Sequence, residues 1–201
     1  MSALVLGLLV SSAKGSFDAE RSEVIQMAAK FAFLDRVLTV YGPEAAGARE
    51  QVRETVKEGI QQIWPAEARQ PARLAPNRQA GDAAYSAIQN LSPENDRQRN
   101  LKAAAISLLT DLGQVRSLLA AQAVPSVSTP MLIILVSWLA IIFLGFSALA
   151  PANPTAMLAL TVSAIAVSGA IFLILELDQP FGGLIQISSK PLLNALSQFA
   201  K

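Results

Sequence analysis

The chain has 201 residues and a formal net charge of +1; 52% of its residues are hydrophobic, only 15% are charged, and there is neither cysteine nor histidine. That composition removes disulfides, thiol nucleophiles, Cys/His zinc sites, haem ligation by histidine and every Ser-His triad. The near-neutral balance, with no Lys/Arg cluster interleaved with aromatics, leaves no electrostatic footprint for nucleic acid. Carboxylate-only chemistry and oxygen-liganded hard cations survive the cut, but no residue is assigned a catalytic role and an enzyme is not expected.

Met1 to Ala13 are apolar apart from Ser2, Ser11 and Ser12, yet at about 1.5 Å per residue they reach only about two thirds of a bilayer core. A signal peptide fits the small residues Ser11-Ser12-Ala13, but no Lys or Arg precedes the apolar run. The preferred reading is a partial transmembrane helix over 1–13 whose start lies upstream of Met1. From Phe17 to Tyr41, Val24, Met27, Ala28, Phe31, Leu34, Leu38 and Tyr41 recur at helical spacing, with Asp18 and Glu20 in the first turn. Gly42-Pro43 ends that helix.

Glu44 to Trp64 predicts a second helix, with Ala45, Ala48, Val52, Val56, Ile60 and Ile63 on one face and charges around the rest. Pro65 to Gly81 is Pro-rich and reads as a connector or mobile loop. A short helix is expected around Asp82 to Leu91. Ser92-Pro93-Glu94 then reads as an N-cap with Pro at N1, opening a long helix through Leu101, Ala105, Leu108, Leu112, Val115 and Leu119, closed by Pro125 and Pro130. The stretch 14–128 is thus expected to be a helical bundle.

Met131 to Ala150 and Thr155 to Leu175 contain no Asp, Glu, Lys or Arg, and each is about long enough to cross a bilayer. The link Pro151-Ala152-Asn153-Pro154 allows only a tight turn, which predicts an antiparallel transmembrane hairpin over 129–176. In its second helix Ala159, Ser163, Ala166 and Ala170 form a small-residue stripe suited to close helix packing. Every Lys and Arg lies in 14–116 or at Lys190 and Lys201, and the hairpin turn has none. By the positive-inside rule the helical domain is then cytoplasmic.

The exit from the last apolar run is the least generic sequence: Glu176, Asp178, Pro180, Phe181, Gly182 and Gly183. In an extended loop Glu176 and Asp178 share a face, Pro180 biases its predecessor toward extended geometry, and the glycines permit a sharp turn. Such a loop could offer oxygens to Ca²⁺. The plainer reading is that the carboxylates mark the water boundary, with Phe181 as an interfacial anchor. In the final segment, 177–201, Leu184, Ile185, Ile187, Leu192, Leu193, Leu196 and Phe199 form an amphipathic tail for the bundle or for a neighbouring subunit.

Two segments resemble bestrophins. Leu175 to Gly183 is similar to the Glu-x-Glu-x-Pro-Phe-Gly element after the last bestrophin membrane helix, best at Pro180-Phe181-Gly182. Leu8-Leu9-Val10 through Ala13, Phe17-Asp18, Arg21 and Glu23 resembles the stretch where the bestrophin pore helix meets an aromatic-Asp-Arg-Glu segment. Nearly the whole chain resembles a bacterial bestrophin-like membrane family of unknown function, in which a further transmembrane helix precedes these residues. The resemblance implies a pentameric ring around an axial pore, with Leu4 and Leu8 at an apolar neck and Glu176 and Asp178 near a calcium clasp. Two departures stand out: Ser11 and Ser12 replace an Arg and a polar partner, and the clasp's acidic run is absent after Gly183.

The sequence thus predicts an all-α integral membrane protein of a bacterial inner membrane, bearing a cytoplasmic helical bundle. The expected function is a homo-oligomeric ion channel, by the resemblance for anions, with Ca²⁺ as the one candidate cofactor. The rival is a membrane-anchored scaffold or sensor whose cytoplasmic helices bind a protein partner, favoured by the absence of ionisable residues in the membrane runs.

Overall fold

The computed structural model describes residues 2–65, 75, 77–122, 129–149 and 153–198. Every regular element among them is helical: α1 (Ser2–Tyr41), a 3₁₀ turn (Pro43–Ala45), α2 (Ala46–Ile63), α3 (Arg78–Gln89), α4 (Asp96–Gln122), α5 (Thr129–Leu149), α6 (Pro154–Leu177) and α7 (Lys190–Gln198). The chain divides into two compact units. The first comprises Met1–Ala19 and Pro125–Gln186, the second Glu20–Val124 and Ile187–Lys201.

The expected separate helices over 1–13 and Phe17–Tyr41 are one continuous α1. Lys14-Gly15-Ser16 contains no proline, and an i,i+4 ion pair between Lys14 and Asp18 bridges the junction. Lys14 Nζ also sits 5.9 Å from the ring centroid of Phe17, a cation–π distance.

In the second unit, α1 buries Val24, Met27, Ala28, Leu34 and Leu38, while α2 buries Ala48, Val52, Val56, Ile60 and Ile63, nearly the faces expected from periodicity. α1 and α2 are tied by Arg49, whose Nε and Nη2 reach Asp35 Oδ1 at 2.8 and 2.7 Å. Asp35 is a buried carboxylate, so the guanidinium supplies the charge partner such a group requires. Gly42 carries φ +130°, a region that costs any other residue, and a Cβ there would press on the Glu44 carboxylate.

Two helix starts differ from the sequence reading. α3 begins at Arg78 rather than near Asp82, because Asn77 caps it by accepting from Ala80 N at 3.4 Å. Most of the expected connector before it, 66–74 and 76, lies outside the described residues. α4 begins at Asp96, not at Ser92-Pro93-Glu94. Asn95 Oδ1 accepts from Gln98 N at 2.8 Å while Gln98 Oε1 accepts from Glu94 N at 2.7 Å. Asn95 thus caps the helix while Gln98 reaches back one residue beyond it to Glu94, a variant of the capping box, and the helix starts there instead of at Ser-Pro. Lys102 on α4 donates to Gln89 O and Leu91 O at 2.6 and 2.8 Å, satisfying carbonyls at the end of α3.

In the first unit, α5 and α6 touch and are joined by a four-residue link, hence run antiparallel. Pro130 lies in the first turn of α5, where its missing N–H costs nothing, so it opens α5 instead of closing α4. Pro125 and the turn residues Pro151 and Ala152 lie outside the described residues. Asn153 caps α6 by accepting from Thr155 N at 2.8 Å, with Pro154 at N1. Both helices, over Leu132–Leu149 and Pro154–Leu177, are long and apolar enough to cross a membrane and are mostly unburied.

The tail returns to the second unit. Ile187, Leu192 and Ala195 are buried and α7 contacts α2, while Trp64 Nε1 donates to Ile187 O at 2.8 Å. Of the two docking sites considered for the tail, this chain's own bundle is therefore used. Leu184, Ile185 and Leu193 stay exposed, Leu196 is half-buried, and Phe199 lies outside the described residues.

Candidate functional site

The first unit holds three groups of residues singled out by the sequence. Leu4 and Leu8 lie one turn apart on α1, 68% and 63% exposed. The same helical face continues through Ser11, Gly15 and Asp18, all exposed, at the alternating spacing of four and three that keeps residues in one row. The exposed side chains of α5 and α6 differ. They are mostly apolar, including Ile134, Ile141, Leu144, Phe146, Met157, Leu158, Val162 and Ile165, with Ser137, Ser147, Thr161, Ser163 and Ser168 scattered among them and no charged residue. The α1 row changes from apolar to small and polar within three turns. Sequence reasoning singled out only its first two members, although Ser11, Gly15 and Asp18 follow from the same spacing.

The second group is the exit of α6. Glu176 lies in the last turn of the helix and Asp178 is its C-cap, so the two carboxylates do not share the face that an extended strand would have given them. Glu176 Oε1 accepts from Ile185 N at 2.8 Å, closing a loop over 177–184. Within it Gln179 O accepts from both Gly182 N and Gly183 N at 3.1 Å, a turn with Pro180 at its second position, where a fixed φ is favoured. Gly182 and Gly183 do not use positive φ. Gly182 has open space around it, whereas a Cβ at Gly183 would meet the Glu176 carboxylate and displace it from the bond to Ile185 N. Phe181 is buried, contrary to the expectation of an interfacial anchor, since the turn folds it inward.

The third group, Ala159, Ser163, Ala166 and Ala170, runs along α6. The first three are exposed and Ala170 is half-buried, and Ser163 Oγ donates to its own helix at Ala159 O, 2.8 Å away. In the single chain this stripe has room beside it.

A profile of the Bestrophin-like domain matches residues 1–192, almost the full chain. The chain belongs to the bestrophin-like family. Searches of curated proteins and of solved structures gave no match. The family and the two helices of membrane-crossing length both point to a membrane location.

For a bestrophin-like chain the loop after the last membrane helix invites a test for Ca²⁺, which takes six to eight oxygens. Among the described residues no group of three or more acidic side chains converges on one point. One Glu176 oxygen is committed to Ile185 N, and the Gln179 carbonyl accepts two N–H groups. Within the single chain Glu176 serves as a carboxylate latch that closes the loop on Ile185 N.

Proposed function

We propose that this bestrophin-like chain is the subunit of a homo-oligomeric ion channel, with Leu4 and Leu8 forming an apolar neck. One observation carries the reading: the exposed row of α1 runs from Leu4 and Leu8 into Ser11, Gly15 and Asp18. The exposed surfaces of α5 and α6 carry scattered Ser and Thr but no charge, whereas the α1 row ends on the carboxylate of Asp18. A row that turns small and polar suits a water-filled path entered through a dewetting constriction. Copies of α1 around a common axis would each contribute the same two leucines. In this reading the second unit is cytoplasmic, the membrane is a bacterial inner membrane, and a pentamer is the expected assembly. The channel carries no catalytic residues.

Purified protein reconstituted in liposomes tests this. Native mass should show a discrete ring, and halide or alkali-cation flux should rise at least several-fold in Leu4→Ala and Leu8→Ala variants, because widening an apolar constriction eases wetting. A monomer with no flux in wild type or either variant would overturn the proposal and leave the anchored-scaffold reading.

A further inference from the structure

The second unit encloses a cavity of ≈ 830 Å³ among α1, α2, α3 and α4, within the size range of small-molecule sites. Met27, Phe31 and Leu112 line it, and Tyr85 and Leu118, both exposed, lie along its open side. The lining is largely apolar with one exception of consequence, Arg116.

The guanidinium of Arg116 donates from Nη2 to the neutral Gln62 Oε1 at 2.9 Å. Its Nε is buried without a hydrogen-bond partner, and no described carboxylate forms an ion pair with it. Burial lowers its pKa, with no charged neighbour among the causes. The seat for this group is Gly59: a Cβ there would stand 2.6 Å from Nη1. A side chain at this position would push the guanidinium aside.

A half-buried cation with no carboxylate beside it is only partly solvated and gains from an anionic partner. Arginine's planar fork matches a carboxylate, and such charge-assisted pairs are among the stronger hydrogen bonds. Glu58, Arg78 and Asp82 also border the cavity, but all three are exposed. Water screens them, which leaves the half-buried Arg116 as the least screened charge at the cavity. We propose that this cavity binds an organic carboxylate, with its head on Arg116 and its apolar body against Met27, Phe31 and Tyr85. The site stands independently of the channel reading.

The test measures thermal unfolding of the detergent-purified full chain with 1-naphthaleneacetate as probe and 1-naphthaleneacetamide as the uncharged control of the same shape. At a hundredfold excess over its Kd the acid should raise Tm by about 5 °C, and the amide by less than about 1 °C. Arg116→Gln should abolish the shift. Because removing Arg116 also alters packing, a second variant decides independently. Gly113 lines the cavity and a Cβ there meets nothing within 4 Å, so Gly113→Leu fills the space, improves helix propensity and should lose the shift without lowering its own Tm. Equal shifts from acid and amide, no shift from the acid, or a shift retained in Gly113→Leu would each overturn the proposal.

Discussion

Tyr41 is 3% exposed, and its hydroxyl is buried with no hydrogen-bond partner among the described residues. Burying an unsatisfied polar group costs about 1–3 kcal/mol, so Tyr41→Phe should stabilise the second unit by about 1 kcal/mol, read as a higher midpoint in thermal or denaturant unfolding. The sign is opposite to that of most core substitutions. The same site carries a pH signature. Burial first, then Glu44 and Glu94, holds the phenol above its ordinary value of 10.0, so the folded state keeps a proton that the unfolded chain gives up. That contribution is whole below about pH 10 and is lost as pH rises through the folded value. Between pH 9 and 11 the wild-type Tm should fall faster than that of Tyr41→Phe; parallel curves would mean that the phenol is not held above its ordinary value.

At the scale of elements, what the sequence made legible was periodicity. The buried faces of α1 and α2 follow from the spacing of Val24, Met27, Leu34, Val52, Val56 and Ile60 because burial selects for a 3.6-residue repeat, and the two membrane-length helices follow from the absence of charge. The starts were less legible, since Ser92-Pro93 and Asn95-x-x-Gln98 are both valid caps and only the completed hydrogen bonds decide between them. Contacts between distant elements left no periodic trace. Glu176 closing on Ile185 N, Arg116 seated over Gly59 and Trp64 bonding Ile187 O each join residues whose proximity depends on the finished fold. The last of these makes a prediction at its own scale. The tail is held to the bundle by Leu192 and Ala195 of α7, by Ile187 just before it, all three buried, and by the Trp64 Nε1 bond to Ile187 O. Trp64→Phe strands a buried carbonyl at a cost of about 1–3 kcal/mol, so amide hydrogen exchange over 190–198 should quicken roughly tenfold, with α3 unchanged. Unaltered exchange would mean that apolar burial alone holds the tail.

For the whole molecule, the decisive question is which exposed surfaces meet lipid and which meet another copy. α6 displays both kinds of surface, large side chains at Met157, Leu158, Val162 and Ile165 and the small stripe of Ala159, Ser163 and Ala166. Lipid tails are indifferent to the size of an alkyl side chain, but a helix packed against another is not: small residues let backbones approach, and a branched side chain there forces them apart. Ala166→Leu therefore separates the two environments. Facing lipid, the added carbons would leave native mass unchanged. Facing a neighbouring subunit, as a homo-oligomer of this chain requires of some surface, they should shift the assembly toward smaller species by about 1–2 kcal/mol per contact, while Ile165→Leu on the large-residue surface leaves it intact. Native mass across a protein dilution series reads both outcomes. The monomer fold should survive either way, because position 166 is exposed in the single chain and leucine is a good helix former. Loss of assembly in Ala166→Leu would thus report on the interface itself, and retention in both variants would move the search for the subunit contact from α6 to the exposed row of α1.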